Sequence, residues 1–148
     1  MATRAVTTGS AFGLVVAVVL GVSVAAVCLT ATPASSPTVA ATLTVDGDRL
    51  VLTHRAGEDV DVRRLDVTVR VDGTPLRHQP PVPFFAARGF RGGPTGPFNP
   101  ATEPTWRVGE TAAVRVAATN RPQLDPGARV TVVLEYDGHR LTTASATA

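Results

Sequence analysis

Acid–base, metal or nucleophilic chemistry would have to come from a short inventory: His54, His78 and His139, the lone Cys28, and 12 carboxylates set among 14 basic residues. Two histidines four apart on a helix would aim both imidazoles at one metal ion. The three histidines have no such spacing. Each adjoins an expected strand end or turn, which predicts solvated imidazoles. Asp46-Gly47-Asp48 begins like a calcium loop but runs on into Arg49-Leu50-Val51 without further oxygen ligands, so it reads as a turn. A single cysteine allows no disulfide framework and no Cys-x-x-Cys site. Beyond residue 42 the only serine is Ser145, in a C-terminus expected to fray, and no Gly-x-Ser-x-Gly, His-Glu-x-x-His, P-loop or dinucleotide fingerprint occurs. The sequence therefore predicts no enzyme activity, no metal and no cofactor.

The basic residues are all arginine, and the formal net charge is only +2. Arginine and carboxylate interleave along the chain, as in Glu58, Asp59, Asp61, Arg63, Arg64, Asp66, Arg70 and Asp72. That pattern makes mixed, solvated faces and not a stripe of one sign, so nucleic acid is not an expected partner.

One stretch concentrates unusual residues. Residues 79–104 (QPPVPFFAARGFRGGPTGPFNPATEP) are dense in proline and glycine and hold Phe84, Phe85, Phe90 and Phe98, with Arg88 and Arg91 between them. Proline at this density removes ladder donors and fixes φ, which predicts an irregular insertion loop. Two readings of its side chains stand side by side. The aromatics, followed closely by Trp106, fold back to cap one end of the domain; or Phe84, Phe85, Arg88, Phe90, Arg91 and Phe98 form an exposed interaction surface.

The elements that would carry this loop are strands. Leu65–Val71 alternates apolar and polar residues without a fault, which predicts one buried and one wet face. Similar rows are Ala112, Val114, Val116 and then Val130, Val132, Leu134, Tyr136. Asp46-Gly47-Asp48, Asp72-Gly73, Asp125-Pro126-Gly127 and Asp137-Gly138 supply turn chemistry between them, with a final strand expected around 139–144. Short strands, recurrent turns and no helical period predict an all-β head at 42–148, an antiparallel immunoglobulin-like β-sandwich interrupted by the loop.

The N-terminus is different in kind. No charged residue occurs from Ala5 to Val45, and Ala11 to Leu29 is apolar apart from Gly and Ser. As an α-helix that run would span about 28 Å, close to the roughly 30 Å hydrocarbon core of a bilayer. Arg4 precedes it and the next basic residue is Arg49. The positive-inside rule then puts the N-terminus in the cytoplasm and the head outside, as a single-pass membrane protein with an extracellular C-terminal domain. The parts expected are a short basic leader (1–5), a hydrophobic helix (6–31), a Pro-containing linker (32–41) and the head. A cleaved secretory signal ending near Leu29-Thr30-Ala31, or a lipid anchor on Cys28, are the competing readings of the same run. Gly13, Ala17, Gly21 and Ala25 recur every fourth residue, a spacing that would put them on one helix face and permit close packing, although small residues are common in any membrane helix.

Arg4-Ala5-Val6, the Val-rich run, the short linker and a β-head containing Val45-Asp46-Gly47-Asp48 and Leu124-Asp125-Pro126-Gly127 resemble, over nearly the whole chain, the archaeal type IV pilins, especially haloarchaeal pilin-like proteins. The resemblance implies that a prepilin peptidase cuts between Ala5 and Val6, after Arg4. It also implies that the mature helix packs with copies of itself or with other pilin subunits in a filament core, leaving the head outward. The function so implied is a structural subunit of a surface filament, membrane-held before assembly, with an adhesive role. The alternative is an anchored or secreted immunoglobulin-like binding module that does not polymerise and contacts its partner through the Phe/Arg loop.

Overall fold

A computed structural model describes residues 35–148. The expected leader and apolar helix, with Arg4, Ala5, Val6, Gly13, Ala17, Gly21 and Ala25, lie outside the described residues. Among those described, no helix is long and apolar enough to cross a membrane.

The head is all-β and antiparallel. Strands β1 (Val39–Asp46) and β2 (Arg49–Gly57) form a hairpin in which Asp46 faces Arg49 across a two-residue turn. Pairing begins at Val39, inside the stretch read as linker. After the two-residue strand β3 (Val60–Asp61) and a single 3-10 turn at Val62–Arg64 comes β4 (Leu65–Val71), joined by Asp72-Gly73 to the short β5 (Thr74–Pro75). Both residues of that turn have positive φ, +49° at Asp72 and +82° at Gly73, as does the Asp137-Gly138 turn. Asp is among the few non-glycine residues that adopt this region readily, which is why Asp-Gly recurs where two strands must reverse in two residues.

After the long loop come β6 (Thr105–Trp106), β7 (Thr111–Arg115), β8 (Arg129–Tyr136) and β9 (His139–Thr147). They complete a three-stranded sheet in the order β1-β2-β7, a four-stranded sheet in the order β5-β4-β8-β9, and a two-stranded ladder of β3 with β6. β9 runs past the expected 139–144, and the C-terminus is tied down: Ala148 N–H donates to the Ala128 carbonyl at 2.9 Å and the Ala148 carbonyl accepts from Gly127 N–H at 2.8 Å.

The period-2 alternation of the strands produces the core. Leu50 and Leu52 from β2, Val67 and Val69 from β4, and Val130, Val132 and Leu134 from β8 all point into one cluster shared by the two larger sheets. Each such side chain contributes on the order of 1.5–3 kcal/mol when fully removed from water. β1 lies against β9, so an edge strand of the three-stranded sheet meets an edge strand of the four-stranded one.

The remaining edge of the three-stranded sheet, along β7, is covered by the irregular loop. Phe90 bridges Val116 and Thr95 bridges Ala113. Arg91 N–H donates to the Arg115 carbonyl at 2.8 Å, and Thr95 and Ala113 exchange hydrogen bonds at 2.9 and 3.3 Å. An uncovered edge would present unpaired donors and acceptors to any passing strand, so this lining protects the sheet while the loop itself stays irregular.

Candidate functional site

Residues 79–104 were the candidate surface, and their six candidate side chains divide into two groups. Phe84 and Phe98 are core residues, Phe98 only 1 % exposed, and Phe90 is half-buried and stacks obliquely on Phe84 with ring centres 5.6 Å apart. Phe85 is 65 % exposed, and Arg88 and Arg91 are exposed beside it in sequence.

The inward group is held by a 3-10 turn at Gly96–Phe98, which delivers the Phe98 ring edge-on to Trp106 at 5.7 Å. Trp106 is fully buried, and its indole N–H donates to the Glu110 carbonyl at 3.0 Å. On the other side Trp106 meets His54 edge-to-face at 5.2 Å.

His54 corrects the expectation of solvated histidines: it is 0 % exposed. Its Nε2 lies 2.9 Å from the Glu58 carbonyl, which can only accept, so Nε2 carries the proton and Nδ1 is left without a partner. The signal was present in the strand period, since Leu50 and Leu52 set the inward parity of β2 and His54 is the next inward position. His139, by contrast, is exposed in β9, with Nδ1 3.1 Å from the Asp137 carbonyl.

Sequence reasoning missed Asn120. It is fully buried, accepts from the backbone N–H of His78 at 3.1 Å, and donates to the carbonyls of His78 at 2.9 Å and Gly89 at 3.1 Å. One amide thus pins both the start and the middle of the loop to the segment after β7. Gln79 does similar work, donating to the carbonyls of Val69 and Leu76 and accepting from Val69 N–H at 2.7 Å. Buried backbone groups in an irregular segment must find partners outside a ladder, and these two amides supply them.

The charged groups pair locally. Asp61 holds Arg63 through two side-chain contacts at 2.9 and 2.7 Å, and this hydrogen bond, more than any other influence, keeps the Asp61 carboxyl below its ordinary range. Arg64 pairs with Asp137 and lies over the Tyr136 ring at 4.5 Å; the bond to Asp137 raises its already high pKa. Arg107, bonded to Glu103 at 3.0 Å, is shifted the same way.

At the opposite end of β2 from the Glu58 turn, Asp48 receives Arg91 at 2.8 Å and Arg115 at 3.9 Å. Two shallow clefts share Arg91, and the Asp48 carboxylate borders the first of them. One, of about 200 Å³, is bordered by Gly47, Val116 and Leu124; the other, of about 320 Å³, is lined by Arg49, Arg91, Gly92, Gly93, Thr95, Ala113 and Arg115. Among the described residues no group of three or more His, Cys, Asp or Glu side chains is placed to hold a metal ion.

No protein-family model matches the chain, and no curated protein matches it.

Proposed function

We propose that the protein is a pilin-like structural subunit of a surface filament, held in a membrane by its N-terminal helix before assembly, and that its head is an immunoglobulin-like sandwich. The observation that carries this reading is the order of the parts: Arg4-Ala5 immediately before a long uncharged Val-rich run, then a short linker, then a β-head with its own core. A subunit held in lipid by one apolar helix can move into a filament at small cost, because helix–lipid contacts are exchanged for helix–helix contacts of similar apolarity and packing decides the balance. N-terminal sequencing of the mature protein tests it. A start at Val6 is expected; a start beyond Ala31 overturns the filament reading and leaves a secreted domain.

A second reading, a binding module that does not polymerise, is favoured by one particular: Phe85 is an exposed large apolar side chain in the same loop as the exposed Arg88 and Arg91. Exposed aromatic and arginine side chains together are the composition enriched at recognition surfaces. Deleting the loop does not test this, since Phe98 would leave the core with it. The double substitution of Phe85 and Arg88 by Ala keeps the fold and removes the surface. Loss of partner binding in a folded variant of a chain that forms no filaments supports the binding module; loss of adhesion with filaments intact gives the loop a recognition role within the filament reading instead.

A further inference from the structure

The row of arginines across the three-stranded sheet is only partly paired within the fold. Arg49 of β2 and Arg115 of β7 are direct cross-strand partners, so their side chains leave the sheet on the same face. Arg91 extends the row by one more backbone, since its N–H bonds the Arg115 carbonyl and the adjacent Phe90 bridges Val116. All three line the same 320 Å³ cleft. Like charges placed directly opposite on a sheet oppose folding. Asp48 compensates in part, taking Arg91 and, more distantly, Arg115. Asp46 faces Arg49 in the β1–β2 register, yet among the described residues Arg49 makes no ion pair. Three guanidiniums against these two carboxylates leave the cleft net positive.

Guarding a sheet edge is a common reason for such charges, but it does not apply. Arg49 is on the central strand of its sheet, and the edge of β7 is already covered by the loop. The floor between the arginines is kept bare by small residues, Gly92, Gly93, Ala113 and Thr95. A Cβ on Gly93 would come within 2.9 Å of the Phe85 backbone carbonyl, so that position is closed to larger residues.

We infer that this cleft binds an oxyanion carried on a sugar-sized body. Guanidinium forks pair with carboxylate, phosphate or sulfate through two parallel N–H bonds, which an ammonium ligand could not replace. The volume is more than a bare oxyanion occupies and stands at the lower end of small-molecule sites, which begin at about 300 Å³. Gly92, Gly93 and Ala113 in the lining leave room beside the arginines for the apolar face of a sugar ring. The inference is independent of filament assembly, because a single head carries the whole site.

The test is titration calorimetry on the full chain in a polyoxyethylene detergent, since a glycoside detergent would itself compete, with glucuronate, glucose 6-phosphate, glucose and inorganic phosphate compared at constant ionic strength. Glucuronate or glucose 6-phosphate is expected to bind at least roughly tenfold more tightly than glucose, and Arg49→Gln or Arg115→Gln to weaken that binding by roughly tenfold or more, as loss of a charged hydrogen bond does. Arg49→Lys, which keeps the charge and loses the fork, is expected to fall between. The Gln variants should melt at or above the wild-type midpoint, which separates lost binding from lost fold. Equal affinity for glucose and both anionic sugars, or unchanged affinity in Arg49→Gln and Arg115→Gln, overturns the site. Inorganic phosphate bound as tightly as glucose 6-phosphate overturns the sugar-sized body.

Discussion

Phe98 and Phe85 are the same residue type in the same loop with opposite consequences, and the difference is burial alone. Phe98 is 1 % exposed and packs its ring on Trp106, so Phe98→Ala removes that contact and leaves a cavity; the expected loss of stability in denaturant unfolding is about 3–5 kcal/mol. Phe85→Ala, at an exposed position, is expected to stay within about 0.5 kcal/mol of wild type. Asp61 gives the pH-dependent counterpart. Its carboxyl is held below its ordinary value of 3.8 chiefly by the Arg63 hydrogen bond, so folding favours the ionised form. The contribution is therefore present at every pH above about 4 and is lost as pH falls through the depressed value. Asp61→Asn keeps a side chain that still accepts from Arg63 N–H and removes the charge. Its thermal midpoint should lie below wild type at neutral pH, by a few degrees at most for a solvated pair, and the gap should close as pH falls through the depressed Asp61 value. A gap that does not change with pH would assign the effect to packing instead. At this scale the sequence was legible where period decides. Leu50, Leu52 and the unexpected His54 all follow one parity, whereas Asn120 sits in a stretch without period, and its burial is set by the backbone groups of residues more than 30 positions away.

Strands and turns were more legible than the loop that joins them. Leu65–Val71 is buried at alternate positions as its pattern predicts, and Asp72-Gly73 and Asp137-Gly138 each reverse the chain in two residues, because both signals are local; in the first hairpin the turn falls one residue later, on Gly47-Asp48, with Asp46 still paired to Arg49. The path of residues 79–104 is not local. It is fixed by pairing to β7, by the amides of Asn120 and Gln79, and by the Phe98 ring against Trp106, none of which a linear pattern encodes. The same loop was read both as a cap and as an exposed surface, and the structure divides it: one face completes the core, the other carries Phe85 and Arg88 outward. Gly96 is where this docking can be broken without touching a core side chain. Its φ is +69°, and a Cβ there would run into the backbone carbonyl of Thr111 on β7, which cannot move aside as a side-chain tip would. Gly96→Ala is expected to cost about 1–3 kcal/mol from the backbone conformation alone, with the contact adding to it. As the turn carrying Phe98 lifts, Trp106 fluorescence should shift to the red at denaturant concentrations that leave β4 and β8 protected from amide exchange. Simultaneous loss of both signals would mean that the loop and the sheets unfold as one unit.

At the scale of the molecule, residues 35–148 build a core among themselves, cover the β7 edge and tie down the C-terminus. A head with a core of its own suits the proposed assembly, since a subunit that leaves lipid for a filament must not unfold when its anchor changes surroundings. It also makes the two halves separable by mutation. In the proposed filament core, Ala17, Gly21 and Ala25 recur every fourth residue, so they share one face of the predicted helix and let neighbouring helices approach closely. Gly21→Leu keeps the segment apolar, and so keeps membrane insertion, while filling the groove that close packing requires. If packing decides between lipid and filament, a penalty of about 1.4 kcal/mol per subunit contact shifts that equilibrium tenfold, and filament yield should fall by at least that factor. Thermal unfolding of the head and membrane recovery of the variant should both match wild type. Ser23→Leu, on a different face, is the control that separates packing from bulk: filaments lost equally in both variants would show that side-chain size anywhere on the helix blocks assembly, and filaments retained in Gly21→Leu would remove the small-residue face from the assembly contact.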